Sequence, residues 1–277
     1  MRPGGAVAFA AQAVTIVAPP VLDAPALNRP WEYPLMRPAL AFFAITLALG
    51  ICTTAARADD KADGWVELSG LDAWKGKSTG WEIVADAALN PKNPKGLVGT
   101  AGSGVVYNGP GGRAVNLISK QEFGDVEAHL EFVVPKGSNS GIKFEGVYEI
   151  QIFDSHDVKT PTASHCGGVY PRAELLPRYH HIDEGYPPKV NACKPPGEWQ
   201  ALDVVFHAPK FDASGKKVAN AKFVSVKLNG QVVQDNLEVP YPTGHVWRDQ
   251  EHPTGPIFLQ GDHGSVAFRN VRARPVR

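Results

Sequence analysis

Residues Asn139–Asp154 read NSGIKFEGVYEIQIFD, and this stretch decides the fold. From Val147 onward it alternates. Val147, Glu149, Gln151 and Phe153 project to one side of an extended chain, and Tyr148, Ile150 and Ile152 to the other. An ordinary half-buried strand sets its apolar face against solvated Lys, Thr or Ser. Here the second face carries a carboxylate and a carboxamide two residues apart, with Asp154 directly after the run. Upstream, an extended chain places Asn139, Gly141 and Lys143 opposite Ser140, Ile142 and Phe144. Two neighbouring strands of this kind form one surface of Asn, Lys, Glu and Gln, a set of fixed donors and acceptors suited to a polyhydroxylated ligand. The competing reading is a solvated sheet face whose polar residues fell there by chance, since antiparallel sheets commonly turn one face to water.

Outward from this stretch the pattern stays extended. Val126, Ala128, Leu130, Phe132 and Val134 share one face of a strand over 125–134, against Asp125, Glu127, His129 and Glu131. Short runs at 65–68, 81–85 and 115–119 are consistent with strands. The Gly- and Pro-rich segment 90–112 reads as loops around two weak strands. Alternation resumes at 200–206 and 221–228. Asn229-Gly230 is a type I′ hairpin signal leading into 231–234. Strands at 255–260 and 266–271, joined by Gly261-Asp262-His263-Gly264, close the chain. Residues 155–198 are irregular, and a loop of that length in one domain is usually functional or tied down. Many short antiparallel strands with turn residues between them predict an all-β, two-sheet antiparallel sandwich.

The N-terminal part reads differently. Met36-Arg37, an apolar run over 39–51 too short to span a bilayer, and Ala56-Arg57-Ala58 form a signal peptide over 36–58, with cleavage before Asp59. Residues 1–35, rich in Ala and Pro and without periodicity, are read as an upstream extension lying before the true start. One sandwich domain occupies 59–277. Export to the periplasm or medium follows, with no membrane association after signal cleavage.

Of the 28 Lys/Arg and 28 Asp/Glu in the chain, four and two fall in residues 1–58, which leaves the domain at net −2. No basic stripe is present, so nucleic acid is not the expected partner. Of the three cysteines, Cys52 leaves with the signal peptide. Cys166 and Cys193 then form an even pair in an oxidising compartment, and a disulfide between them is expected.

Seven ordered strings resemble the 3-keto-disaccharide hydrolase domain family: NSGIKF (139–144), YEIQIFD (148–154), GGVY (167–170), PPGEWQ (195–200), KLNG (227–230), GPIFLQGDHG (255–264) and FRNV (268–271). The opening GWVELSGLDAWKG (64–76) is similar to the family's start. The resemblance covers nearly all of 64–274. It implies a concanavalin-like β-jelly roll and activity on oxidised sugars, with a small molecule or oligosaccharide as substrate.

The residues are compatible with that chemistry. A laminarinase-type glucanase would carry paired carboxylates as E-x-D-x-x-E, but this strand reads E-I-Q-I-F-D. The partner of Glu149 on its own face is the uncharged Gln151, which disfavours double displacement. A 3-keto sugar offers another route, because the ketone acidifies the hydrogen at carbon 2. One base can remove it and expel the aglycone from carbon 1; water then adds back. The route needs a base, a proton donor and a positive group at the developing enediolate. Glu149, Asp154 and His263 are the catalytic candidates. Asn139, Lys143, Gln151, Tyr170, Gln260 and Asp262 are the substrate-binding candidates. His263 with a carboxylate would also suit a divalent metal, although no cofactor is required by the route. Glu198 and Arg269 read as a structural pair. The alternative of a different class is a non-catalytic, lectin-like carbohydrate-binding module using the same polar face.

Overall fold

A computed structural model describes residues 63–277; the expected extension over 1–35 and the expected signal peptide over 36–58 lie outside the described residues. In chain order the strands are β1 (Val66–Glu67), β2 (Glu82–Asn90), β3 (Asn93–Tyr107), β4 (Leu117–Phe123), β5 (Val126–Val133), β6 (Asn139–Phe144), β7 (Tyr148–Phe153), β8 (Ala173–Glu174), β9 (His180–His181), β10 (Gln200–His207), β11 (Lys210–Phe211), β12 (Lys217–Ala219), β13 (Ala221–Leu228), β14 (Gln231–Val239), β15 (Gly255–Leu259) and β16 (Ala267–Pro275). A 3-10 turn over Leu71–Ala73 is the sole helical element among the described residues.

The larger sheet runs β14-β13-β10-β5-β16-β3-β2, with β1 added on β16, and the smaller runs β4-β15-β6-β7. All pairings between the strands of these two sheets are antiparallel. Their inner faces meet in one core. Leu130, Phe132, Val204, Phe206, Phe223 and Phe268 from the large sheet pack with Ile142, Phe144, Tyr148, Ile150, Ile152 and Leu259 from the small one. Phe144, Phe206 and Phe223 lie with ring centroids 5.1–5.7 Å apart. Each such side chain, fully withdrawn from water, contributes about 1.5–3 kcal/mol. The architecture is the expected jelly-roll-like β-sandwich.

Period-2 alternation locates the inner face in β5, β7, β10 and β13. The Asn229-Gly230 turn forms as read, with φ of 52° and 80°. Segment 90–112 differs from its reading as loops around two weak strands. Most of it is β3, fifteen residues long and paired with β2. Gly102 and Gly104 adopt φ of 149° and 108° and sit where the register shifts. They therefore form a bulge inside a continuous hairpin, and the glycines bend the strand without ending it.

The expected disulfide is also corrected. Cys166 and Cys193 are free, buried thiols. The two side chains are hydrogen-bonded neighbours, and this contact, reinforced by burial, pushes the Cys166 thiol up. Cys193 Sγ reaches the carbonyls of Lys194 at 3.5 Å and Phe153 at 3.7 Å, so hydrogen bonds satisfy the sulfurs in place of an S–S bond. Arg269, expected to pair with Glu198, instead meets Glu131 at 2.7 Å and lies over the Trp199 ring at 4.1 Å. Its cross-strand position opposite Glu131 dictates that choice.

Candidate active site

The outer face of the small sheet carries the candidate residues because its inner face takes Ile142, Ile150 and Ile152. Antiparallel partners share a face. Lys143 pairs with both Phe258 on β15 and Glu149 on β7, while Gly141 pairs with Gln151. The sheet continues past β7. Val169 bridges Ile150, Gln151 donates its amide to the Gly168 carbonyl at 2.9 Å, and Tyr170 donates its amide to the Glu149 carbonyl at 3.2 Å. One row across the face therefore reads Phe258, Lys143, Glu149, Tyr170, and the row beside it Gln260, Gly141, Gln151, Gly168.

Glu149 is the centre of this face and only 3% exposed. Its Oε2 lies 3.3 Å from Lys143 Nζ, and its Oε1 accepts from Gln260 Nε2 at 3.0 Å. Burial raises its carboxyl above the ordinary value, opposed by the Lys143 ammonium, then by His263 and the Gln260 amide. With its amide turned to face acceptors, Gln151 donates to Glu149 Oε1 at 3.3 Å and to the Ser140 carbonyl at 3.1 Å. Lys143 also lies 5.3 Å above the Phe258 ring. The arrangement is a desolvated carboxylate with one cation beside it, and the other member of its own strand face within hydrogen-bond reach is neutral.

Gly141 makes this packing feasible. A Cβ there would stand 2.6 Å from Glu149 Oε1 and 3.2 Å from Gln260 Oε1. Gly141→Ala should therefore displace the carboxylate from Lys143. Turnover is expected to fall by about 10-fold, the scale of a sub-ångström misplacement of a reacting group, in a protein whose circular dichroism matches wild type. Turnover within twofold of wild type would show that the carboxylate position is not critical.

Asp262 and His263 arrive from the β15–β16 connection. His263 Nδ1 lies 2.6 Å from Asp262 Oδ1, and Nε2 has no hydrogen-bond partner among the described residues. Two residues that the sequence reading missed hold this loop. Asn108 donates to the carbonyls of Gly261 at 3.1 Å and Gly264 at 2.7 Å, and accepts from the Val266 amide at 2.9 Å. Asn116 accepts from the Gly261 amide at 2.9 Å and donates to Asp262 Oδ2 at 3.4 Å. Asn108 lies in the Gly- and Pro-rich segment and Asn116 in the short run at 115–119, and no periodicity singles out either.

The remaining candidates separate into two groups. Asn139 is half-buried at the start of β6, beside the Gln151 carboxamide, and stays on the site face. Tyr170 flanks Glu149 on the side away from Lys143. Asp154 instead accepts the Gly137 amide at 2.9 Å and donates its own amide to the Ser138 carbonyl; it fastens the turn before β6, as a residue one step past the strand end is placed to do. Among the described residues, no group of three His, Cys, Asp or Glu side chains has the spacing to hold a metal ion. A cation at Glu149 would also have to share the carboxylate with the Lys143 ammonium.

The chain is a two-sheet antiparallel sandwich of jelly-roll class with a row of charged and polar side chains on the outer face of its smaller sheet. The chain belongs to the 3-keto-alpha-glucoside-1,2-lyase-like domain family, whose model matches residues 64–274. Membership carries the coarse assignment of a glycoside-acting, glycosyl-hydrolase-like protein. Among solved structures, the chain is similar to a candidate glycosyl hydrolase from Parabacteroides distasonis ATCC 8503, at 26% identity and a TM-score of 0.49, over 73% of this chain and 82% of that one. A second from the same organism matches at 17% identity and a TM-score of 0.48, over 79% and 97%. Carbohydrate binding module CBM66 from Bacillus subtilis aligns at 14% identity and a TM-score of 0.32, over 73% and 99%. No curated protein matches the chain.

Proposed function

We propose that the protein is an exported enzyme that cleaves 3-keto-glycosides by elimination and hydration, giving net hydrolysis. The observation carrying this reading is Glu149, a buried carboxylate beside Lys143 whose partner along its own strand face is Gln151. Paired-carboxylate hydrolysis needs a second titrating oxygen there; proton abstraction next to a ketone needs one base and one cation. In the first step Glu149 takes the proton from carbon 2. The electron pair forms the carbon 1–carbon 2 double bond, the bond from carbon 1 to the aglycone oxygen breaks, and His263, oriented by Asp262, supplies a proton to that oxygen. Lys143 opposes the negative charge growing on the carbon 3 oxygen. In the second step His263, left neutral by the first, takes a proton from water, the hydroxyl adds to carbon 1, and the proton held by Glu149 returns to carbon 2.

Turnover of a 3-keto-glucoside beside its unoxidised parent tests the proposal. Cleavage of the keto sugar alone is expected. Cleavage of both at similar rates would favour a conventional glycosidase, and binding of sugars without turnover of either would favour a lectin-like module. Export is tested separately by intact mass of protein purified from its host, which should correspond to a chain beginning at Asp59; a mature protein retaining residues 1–35 would refute it.

A further inference from the structure

The long irregular segment after β7 builds a structure that the mechanism above does not use. β8 and β9 form a short hairpin, with Ala173 opposite His181 and Glu174 opposite His180. Its base is fastened. Arg172 pairs with Asp183 at 2.7 Å and lies over the Tyr241 ring at 4.6 Å and the Trp247 ring at 5.1 Å. Arg248 stacks on Trp247 at 4.5 Å and reaches Glu174 at 2.7 Å. Ala173 donates its amide to the Gly244 carbonyl at 2.9 Å. Such anchoring fixes the hairpin before any ligand arrives, and fixed geometry lowers the entropic cost of binding.

The hairpin returns Tyr179 and His181 to Tyr170, the residue beside Glu149. Tyr179 donates its hydroxyl hydrogen to the Tyr170 oxygen at 3.1 Å, and the Tyr170 oxygen lies 3.1 Å from His181 Nε2. If each hydroxyl gives one hydrogen along this chain, Nε2 is the acceptor and His181 Nδ1 carries an N–H with no hydrogen-bond partner among the described residues. Two ends of the chain then remain open: a lone pair on the Tyr179 oxygen and the Nδ1 donor of His181. The rings meet edge to face, at 5.2 Å for Tyr170–His181 and 5.8 Å for Tyr179–His181. Tyr179 stays 48% exposed, so ring surface as well as oxygen is on offer. A cleft lined by Thr162, Ala163, Ser164, Pro171, His181 and Asp183 opens next to it. The Tyr179 phenol, raised mainly by burial and its contact with Tyr170, also lies in the field of the Glu149 charge.

We infer that Tyr179, Tyr170 and His181 form the subsite for the leaving-group sugar, a polyol ring bound against the Tyr179 face with its hydroxyls shared between the Tyr179 oxygen and His181. A pyranose needs an apolar surface for its C–H face and paired donors and acceptors for its rim, and the cluster supplies both on the opposite flank of Glu149 from Lys143. The keto sugar then lies toward Lys143 and the expelled sugar toward the hairpin. This assignment rests on the reading of the protein as a 3-keto-glycoside-cleaving enzyme.

The test compares kcat/KM for a 3-keto-disaccharide with kcat/KM for methyl 3-keto-glucoside, which has the same reacting ring and no second sugar. In Tyr179→Ala the ratio of the two is expected to fall about 10-fold, the scale of losing one contact and its hydrogen bond. Tyr179→Phe, which keeps the ring, should give a smaller fall and serves equally if the alanine variant does not fold. An unchanged ratio in both variants would overturn the assignment. If wild-type protein cleaves neither keto sugar, the enzymatic reading fails, and the subsite is then judged by affinity for the unoxidised disaccharide relative to methyl glucoside. The same 10-fold fall in Tyr179→Ala would sustain the subsite, and no fall would remove it.

Discussion

Glu149→Gln is expected to lower turnover of a 3-keto-glucoside by at least about 100-fold, the lower bound for loss of a general base, while the melting temperature stays close to wild type. The amide keeps the shape and can still meet Gln260 and Gly141, but it cannot accept a proton from carbon. Two opposing effects act on stability. Glu149 is raised above its ordinary value, so its ionised form at neutral pH costs folding free energy that the amide avoids. Against this, Lys143, with its side chain 11% exposed, loses its anionic partner, and stranding a buried charge is destabilising. The same shift fixes the acid limb of activity. The base must be ionised to work, so kcat/KM should decline as pH falls through a value above 4.5, with the limb absent from whatever activity the glutamine variant retains. Near-full activity in that variant would remove Glu149 from the mechanism.

The second large effect concerns stability and lies away from the chemistry. Glu145 occupies the β6–β7 turn with φ of 55°, is 8% exposed, and has its Oε1 bonded by the His252 amide while Oε2 has no hydrogen-bond partner among the described residues. Glu251 stands close by, held by Lys217 at 2.7 Å and by the Tyr148 hydroxyl. Burial, with Glu251 adding to it, pushes the Glu145 carboxyl from 4.5 up to about 8. An acid raised in the fold contributes stability that is fully present below its unfolded value and is lost as pH climbs through the folded one. Between about pH 4.5 and pH 8 the protein should therefore lose stability on the order of 4 kcal/mol through this group. Glu145→Gln stays neutral throughout. Chemical denaturation at pH 5 and pH 8.5 should show the variant gaining several kcal/mol over wild type at the higher pH only. An equal difference at both pH values would mean that Glu145 does not titrate in this range.

The readable part of the site follows from periodicity. Once Ile150 and Ile152 were assigned inward, Glu149 and Gln151 had to face out, and NSGIKF next to them had to bring Lys143 to the same side. The Asp262-His263 pair was legible because a short turn between two strands leaves it few places to go. Asp154 resembled a site residue in sequence, yet one step beyond the strand it turns to the Gly137 amide. Tyr179 and His181 escaped notice because they reach Tyr170 through a hairpin anchored by Arg172 on Tyr241 and Trp247, more than 60 residues away in sequence. Contacts of that range leave no local pattern. Glycine misled in β3, where Gly102 and Gly104 bend a strand, and cysteine count misled at Cys166 and Cys193, because composition says nothing of the carbonyls that hold the sulfurs.

In the proposed reaction Glu149 removes the hydrogen at carbon 2 of a 3-keto sugar. The most direct test of this step is the rate of cleavage of a 3-keto-glucoside deuterated at carbon 2, measured beside the protiated compound. The deuterated sugar should be cleaved more slowly, and the unoxidised glucoside should not be cleaved at all. Equal rates for the two isotopologues, together with cleavage of the unoxidised glucoside, would contradict it.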